Sequence, residues 1–255
     1  MGKAARDVSA RERIKAEREK ERKQQRHRRL LTLLVAGVVA VAVVAGGWWY
    51  VQSGRSELAT GQLAPITIQS DGSVVMARPG VQKPLIEVYE DFQCPACKAF
   101  EQVSSPTLKN LAAEGQAKVV YHPITIFSDE PTRGNSLRAA SAARCVPDGK
   151  QWMAYHDRLF AGQPSETTPG FKVDDLVKWG EEAGVTAPGF ASCVTTQKNA
   201  KAQADYSKKV LDSGVITQGT PTLRLDGKEV DNNVAFSPPA LRQAVLDAAK
   251  PAGNR

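Results

Sequence analysis

Cys94 and Cys97, separated by two residues, are the side chains of this chain whose type and spacing could do chemistry. A strand-like run ends just before them and a helical pattern begins with them, so the spacing predicts a disulfide-forming pair on the first turn of a helix. Free N–H groups and the positive end of the helix dipole would stabilise a Cys94 thiolate there. Cys97 lies one turn further in and is expected to stay protonated. The pattern therefore predicts a nucleophilic thiol and a resolving thiol.

One further residue of this motif fits the same geometry. Pro95 suits the first helical position, because its missing N–H would have had no partner there. Zinc sites use the same cysteine spacing but need a second cysteine pair or histidine partners. His122 and His156 show no ligand spacing in the sequence, and the two remaining cysteines are far apart. We therefore predict thiol chemistry with neither a metal nor a cofactor.

A second motif, Gly219–Thr222, follows about 125 residues later and directly precedes a predicted strand. With Phe92–Cys97 it resembles the thioredoxin-fold oxidoreductases, in particular the DsbA-like branch with a helical insertion and its membrane-anchored actinobacterial members. The resemblance implies a cis Thr220–Pro221 bond facing the two cysteines. It also makes Thr220 and Pro221 catalytic residues beside Cys94 and Cys97. The alternative is an ordinary trans proline that opens a strand.

The resemblance implies a protein disulfide oxidoreductase that introduces disulfides into exported, cysteine-containing proteins. It also implies a membrane reoxidase of the DsbB or VKOR type as a partner. Two alternatives stay open: a disulfide isomerase or reductase of the same fold, and a non-catalytic anchored chaperone. An intact cysteine pair argues against the chaperone.

The chain departs from the family pattern at two places near the cysteines. The family's buried acid, six residues before the nucleophile, is replaced by Val88, and Glu90 on the same strand face is the candidate substitute. The alternative for Glu90 is a solvent-facing carboxylate near a strand end. Ala96 stands where strongly oxidising relatives place a histidine. We assign supporting roles only to Pro95, Ala96 and Glu90.

Cys145 and Cys193 are the two cysteines left over. In an oxidising compartment they most simply pair with each other, and relatives of the anchored type carry such a pair. Closing a loop of this length would stabilise the fold by about 4 kcal/mol in the chain-entropy model. The alternative is a second redox relay, although neither cysteine belongs to a CxxC motif.

The surrounding elements predict an α/β protein with a thioredoxin-like fold, an inserted helical domain and one preceding transmembrane helix. Strand, helix and strand follow one another through residues 85–127, which predicts a parallel pairing. Asp226–Gly227 predicts a tight hairpin. We expect the following organisation: a basic tail at 1–29, a membrane helix at 30–51, a linker at 52–72, the thioredoxin-like domain at 73–134 and 212–255, and the insertion at 135–211.

The net charge of +7 belongs entirely to the N-terminal tail. Residues 1–29 hold 12 Lys/Arg and 5 Asp/Glu, whereas the rest of the chain has 22 of each sign. No basic domain is therefore left to bind nucleic acid. The tail could attach to anionic lipid heads, but a solvated segment that only sets topology is favoured.

Residues 30–51 form an apolar stretch that would span about 33 Å as a helix, enough for the hydrocarbon core of a bilayer. Arg28 and Arg29 precede it and Trp48–Tyr50 end it, which predicts a cytoplasmic N-terminus and an extracytoplasmic catalytic domain. A buried core helix would be shorter. A cleaved signal peptide is the stronger alternative, but small residues rather than aromatic ones would precede the cleavage site.

Overall fold

The computed structural model describes residues 62–250. Six strands in this part of the chain form one mixed sheet in the order β1-β2-β4-β3-β5-β6. Strands β3 and β4 are parallel, and the other neighbouring pairs are antiparallel. The strands are β1 (Ile66–Ile68), β2 (Val74–Met76), β3 (Leu85–Glu90), β4 (Lys118–Pro123), β5 (Thr222–Leu225) and β6 (Lys228–Glu229).

The helices of residues 62–250 cover the sheet and fill the long connection between β4 and β5. They are α1 (Pro95–Val103), α2 (Ser105–Ala113), α3 (Thr132–Ala143), α4 (Gly149–Ala161), α5 (Val173–Glu182), α6 (Phe190–Thr195), α7 (Ala200–Asp212), α8 (Asn232–Ala235) and α9 (Pro238–Ala248). The thioredoxin-like α/β fold and its helical insertion are thus as predicted.

Buried apolar side chains alternate along the two central strands, β3 and β4, and form part of the core. Ile86 and Val88 are buried on β3 and lie opposite Val119 and Tyr121 of β4, so the parallel register aligns their apolar side chains. The Tyr121 ring in turn packs against Trp152 of α4, with 6.2 Å between ring centroids. The predicted parallel strand–helix–strand unit is confirmed, and it joins the sheet to the inserted helices.

The sequence pattern predicts one helix from the cysteines to about Ala113. In the structure this segment forms two helices. Helix α1 stops at Val103, and α2 starts at Ser105 with Pro106 in its first turn. Proline has no N–H and its ring clashes with the preceding turn, so it is tolerated at a helix start but not in a helix interior. The break confines α1 to nine residues.

Two boundaries of the predicted organisation differ from the observed elements. Strand β1 lies inside the predicted linker 52–72 and pairs with β2 through Ile66 and Met76. The Gly, Ser and Thr residues around β1 are typical of a linker, so the sequence did not indicate a strand there. The three residues of β1 pair with the edge of β2. Helix α3 begins at Thr132, three residues before the predicted start of the insertion.

The insertion also breaks where one helix was expected over residues 195–211. Helix α6 ends at Thr195 and α7 begins at Ala200. Gln197 has a φ of 49°, which an α-helix cannot accommodate. In contrast, the predicted hairpin is confirmed: Asp226 and Gly227 both have positive φ, at 48° and 81°, as a tight two-residue hairpin turn requires.

None of the helices within residues 62–250 is long and apolar enough to cross a membrane. The basic tail and the predicted transmembrane helix at 30–51 lie outside the described residues.

Candidate functional site

The turn between β3 and α1 presents the two cysteines. Cys94 is the N-cap of α1, with extended φ and ψ of −77° and 119°, and Pro95 occupies the first helical position. The Cys94 amide donates to the carbonyl of Asp91 at 2.9 Å, which closes the turn. Both cysteines are free thiols, so the structure describes the reduced pair. Cys94 is 7 % exposed and Cys97 is fully buried.

The environment of Cys94 favours its thiolate. The pKa of Cys94 is lowered to about 6, mainly by a hydrogen bond from Cys97. Burial opposes this shift, whereas hydrogen bonds from Thr220 and from the backbone N–H groups of Cys97 and Ala96 add to it. The N–H donors are those of the first helical turn, which have no partner within the helix. At neutral pH, Cys94 is therefore mainly ionised and nucleophilic.

Cys97 has the opposite character. Burial, together with the hydrogen bond to Cys94 and the charge of that residue, raises the pKa of Cys97 well above its ordinary value. The Asp91 amide donates to the Cys97 sulfur at 3.5 Å. One helical turn thus separates an ionised thiol from a protonated one.

The Thr220–Pro221 peptide is cis and reaches the cysteines from the start of β5. The Cys94 sulfur donates to the carbonyl of Thr220 at 3.2 Å, across 126 residues of sequence. That contact belongs to the protonated thiol. The Thr220 hydroxyl is buried and has no hydrogen-bond partner within residues 62–250, so it is free to donate to the thiolate.

The structure therefore brings Cys94, Cys97, Thr220 and Pro221 into one site. Pro95 and Ala96 are exposed at its surface, where an approaching chain would meet them. Phe92 and Phe100 are buried in the core.

Glu90 is buried rather than solvent-facing, but its partner is not a cysteine. Its Oε1 lies 2.7 Å from Nε2 of His156 on α4. No hydrogen bond described within residues 62–250 joins Glu90 to Cys97. The face assignment from period-two counting was correct, and the partner was missed because His156 lies 66 residues away.

His156 bridges carboxylates on both of its nitrogens. Its Nδ1 lies 3.1 Å from Asp157 and 3.9 Å from Glu101, on the ring edge opposite Glu90. Burial lowers the pKa of His156, but the charges of Glu90 and Glu101 outweigh it and raise that pKa to about 10. Glu90, Glu101 and His156 could be taken for a metal-ligand set. Because the two glutamates face opposite ring nitrogens, however, the geometry is that of a doubly donating imidazolium.

Two residues that contact the cysteine turn were not singled out by sequence reasoning. Asp91 is fully buried, and its carboxylate accepts from the Gln93 amide at 2.8 Å, two residues on. That Asx-turn position was a usable local signal. Gln163, after α4, donates from Nε2 to the carbonyls of Phe92 and Cys94 at 2.7 and 2.9 Å. Nothing in its loop sequence marks this contact.

Cys145 and Cys193 form a disulfide, with their Cα atoms 5.9 Å apart. It joins the residue after the C-cap of α3 to α6, away from the cysteine turn. Asn199 donates from Nδ2 towards both sulfurs, at 3.5 and 3.4 Å. The pair lies within the helical insertion, as the expected structural pairing requires.

Comparison with known proteins gives the same fold. The thioredoxin family model matches residues 82–245. DsbA of Mycobacterium tuberculosis, in its oxidised form, is 28 % identical with a TM-score of 0.59, over 74 % of this chain and 93 % of that one. The reduced disulfide oxidoreductase DsbG of the same organism is 27 % identical with a TM-score of 0.59, over 78 % and 92 %.

A curated relative places a similar segment in a larger protein. The serine/threonine-protein kinase PknE of Mycobacterium tuberculosis is 26 % identical over 177 residues, which cover 66 % of this chain. The match spans only 30 % of the length of the kinase. The predicted resemblance to DsbA-like proteins is thereby confirmed. This chain belongs to the thioredoxin family and has the fold of its DsbA-like protein disulfide oxidoreductases.

Proposed function

We propose that this chain introduces disulfides into cysteine-containing protein clients by reduction of its own Cys94–Cys97 disulfide. A client thiolate attacks the Cys94 sulfur, forms a mixed disulfide and releases Cys97, which takes up a proton. A second client thiolate then attacks the client sulfur of the mixed disulfide and expels Cys94 as a thiolate. Two electrons pass from the client to the protein, and the client gains one disulfide.

The observation that carries this proposal is the position of Cys94 at the N-cap of α1, beside Cys97 and the cis Thr220–Pro221 peptide, an arrangement that also lowers the pKa of Cys94. A stable thiolate is a good leaving group from the mixed disulfide, and it also stabilises the reduced form of the pair. Both effects favour oxidation of the client over its reduction. An isomerase or reductase would instead need a pair held reduced by its surroundings.

The cis Thr220–Pro221 peptide supports a protein client rather than a small thiol. Its backbone lies beside Cys94, and Pro221 offers no N–H of its own. An extended client segment can therefore pair with the main chain of Thr220 while its cysteine meets Cys94. We propose the same four residues as the catalytic set: Cys94, Cys97, Thr220 and Pro221.

We further propose that the catalytic domain works outside the cytoplasm, anchored by residues 30–51, with a DsbB- or VKOR-type membrane protein restoring its disulfide. The apolar stretch, the basic tail and the Cys145–Cys193 disulfide support this location, because structural disulfides persist in oxidising compartments. The clients would then be newly exported proteins.

The test is oxidation of a reduced peptide with two cysteines by the stoichiometrically oxidised full chain. Wild type should produce the peptide disulfide, Cys94→Ser should be inactive, and Cys97→Ser should accumulate a mixed disulfide with the peptide. Equilibration with glutathione should give a reduction potential well above that of thioredoxin, about −270 mV. A potential near that of thioredoxin would refute the oxidase and favour the reductase.

A further inference from the structure

Asp91 is a buried acid in the same turn as the nucleophile. It follows β3 and is fully buried, and its carbonyl accepts the Cys94 amide while its own amide donates to the Cys97 sulfur. Its side-chain Oδ1 accepts from the Gln93 amide at 2.8 Å. The main chain of Asp91 therefore contacts both cysteines, and its side chain contacts Gln93, the residue before Cys94.

The second carboxylate oxygen of Asp91 has partners that suit two protonation states. Oδ2 accepts from the Ile126 amide at 2.8 Å and lies 2.6 Å from the hydroxyl of Ser136 on α3. A hydroxyl can donate to a carboxylate or accept from a carboxylic acid. The Ser136 contact can thus survive protonation of Asp91 by reversing its direction, without a rearrangement of the buried turn.

Burial, opposed by hydrogen bonds from Ser136, Gln93 and Ile126, raises the pKa of Asp91 to about 7, and the charge of Cys94 raises it further. The Cys94 charge exists only in the reduced pair, because a disulfide sulfur does not ionise. The affinity of Asp91 for a proton therefore differs between the two redox states.

The other charged groups around this turn are engaged elsewhere. On β3 and α1, Glu90 and Glu101 face His156 of α4. On α3, which supplies Ser136, Arg133 pairs with Glu130. Arg138 of the same helix donates to Asn135 and to main-chain carbonyls of Gly170 and Phe171. The segment 124–127 after β4 contains no charged residue.

We propose that Asp91 is a positioning residue of the redox reaction, which binds a proton when the Cys94–Cys97 disulfide is reduced and releases it when the disulfide forms again. Two client thiols lose two protons and two electrons. Cys97 takes one proton, Asp91 takes up to about half of the other at about pH 6.5 while solvent takes the remainder, and Cys94 remains a thiolate. This inference rests on the proposed redox function of the pair.

The direct test is the titration of the Asp91 side-chain carboxyl carbon by NMR in the wild-type chain. The midpoint should lie near pH 7 in the reduced protein and about one unit lower in the oxidised protein, since the nearby charge is then absent. Reduced Cys94→Ser, which has no thiolate, should resemble the oxidised protein. Equal midpoints in the oxidised and reduced wild type would overturn the proposal.

A second readout is the dependence of the reduction potential on pH. Each proton bound per two electrons lowers the potential by about 30 mV per pH unit, since a tenfold change corresponds to 29.6 mV. Between about pH 6 and 7, wild type should have a slope up to about 15 mV per unit steeper than Asp91→Asn, because a difference of about one unit between the two midpoints binds at most about half a proton. Glu87→Gln, on β3 just before Asp91, is the matched control and should keep the wild-type slope.

The two proposals fail in distinguishable ways. If the oxidised chain does not oxidise the dicysteine peptide, the function is refuted, while chemical oxidation still permits both Asp91 titrations. If Asp91→Asn does not fold, Ser136→Ala removes this one contact and should raise the reduced-state midpoint of Asp91, because the Ser136 hydroxyl favours the carboxylate. An unchanged midpoint in that variant would contradict the role given to Ser136.

Discussion

The side-chain amide of Gln163 lies 2.9 Å from the main-chain carbonyl of Cys94, and the same nitrogen donates to Phe92 at 2.7 Å. This contact connects the loop after α4 to Cys94, the N-cap of the active-site helix α1. A reciprocal contact runs from Gln93 to the carbonyl of Pro164 at 3.1 Å. The helical insertion therefore takes part in holding the cysteine turn in place.

Gln163→Leu should lower the free energy of unfolding by about 1–3 kcal/mol, because it leaves two half-buried carbonyls without their donor. Urea unfolding measures the change. Gln116→Leu is the matched control, since that glutamine is exposed and should change stability by no more than about 0.5 kcal/mol. Equal losses in the two variants would show that the Gln163 contacts contribute nothing.

Thr220→Val should raise the pKa of Cys94 by about one to two units, because it removes a hydroxyl able to donate to the thiolate. The pH dependence of alkylation at Cys94 measures this, and in wild type its midpoint should be near pH 6. The cis proline and the Thr220 carbonyl remain in this variant. A midpoint unchanged from wild type would assign the thiolate's stability to α1 and Cys97 alone.

Replacement of both Cys145 and Cys193 by alanine should destabilise the protein by about 4 kcal/mol, since the disulfide closes a loop of 48 residues. Denaturant unfolding under non-reducing conditions gives the value. The alkylation midpoint of Cys94 should not change, because the disulfide is remote from the cysteine turn. A loss of client oxidation in a variant that remains folded would instead support a relay through this pair.

The cluster around His156 should make the protein less stable in alkaline solution. The charges of Glu90 and Glu101 outweigh burial and raise the folded pKa of His156 to about 10, whereas burial and the charge of Glu90 raise that of Glu101 to about 8. Stability from His156 is complete below its unfolded pKa of about 6.5 and is lost as pH rises towards 10. Glu101 acts in the same direction, because its proton is bound more tightly in the folded state above about pH 4.5. Urea midpoints should therefore fall from pH 6 to 10.

His156→Leu tests the same cluster at one pH. It should cost about 3–5 kcal/mol, because Glu90 and Glu101 remain buried without their shared cation. The matched control is Lys201→Gln, which breaks an exposed pair with Asp205 and should cost about 0.5 kcal/mol or less. A small loss in His156→Leu, with a flat stability profile from pH 6 to 10, would contradict an imidazolium at this position.

Local rules were enough to predict the parts of the site that depend on neighbouring residues. Cys94 at an N-cap, Pro95 at the first helical position and the Asp226–Gly227 hairpin each follow from one short stretch of sequence. The strand pattern likewise gave the parallel pairing of β3 with β4.

The contacts that were missed are those between distant segments. Glu90 meets His156 across 66 residues, and Gln163 meets Cys94 across 69, so neither pairing leaves a periodic signal. Glu101 was overlooked because an acid on an amphipathic helix normally faces solvent. Its burial follows from the cation on α4, which no property of α1 predicts.

Cys94 and Thr220 are separated by 126 residues, so they leave the ribosome at different stages of synthesis. A ribosome releases the thiols and all the inserted helices before it releases β5, which pairs with β3 and carries the proline loop to them. Such non-local pairing closes late, after its loop entropy has been overcome. A nascent chain that ends before residue 219 thus carries both thiols without β5 and without the cis Thr220–Pro221 peptide that contacts Cys94.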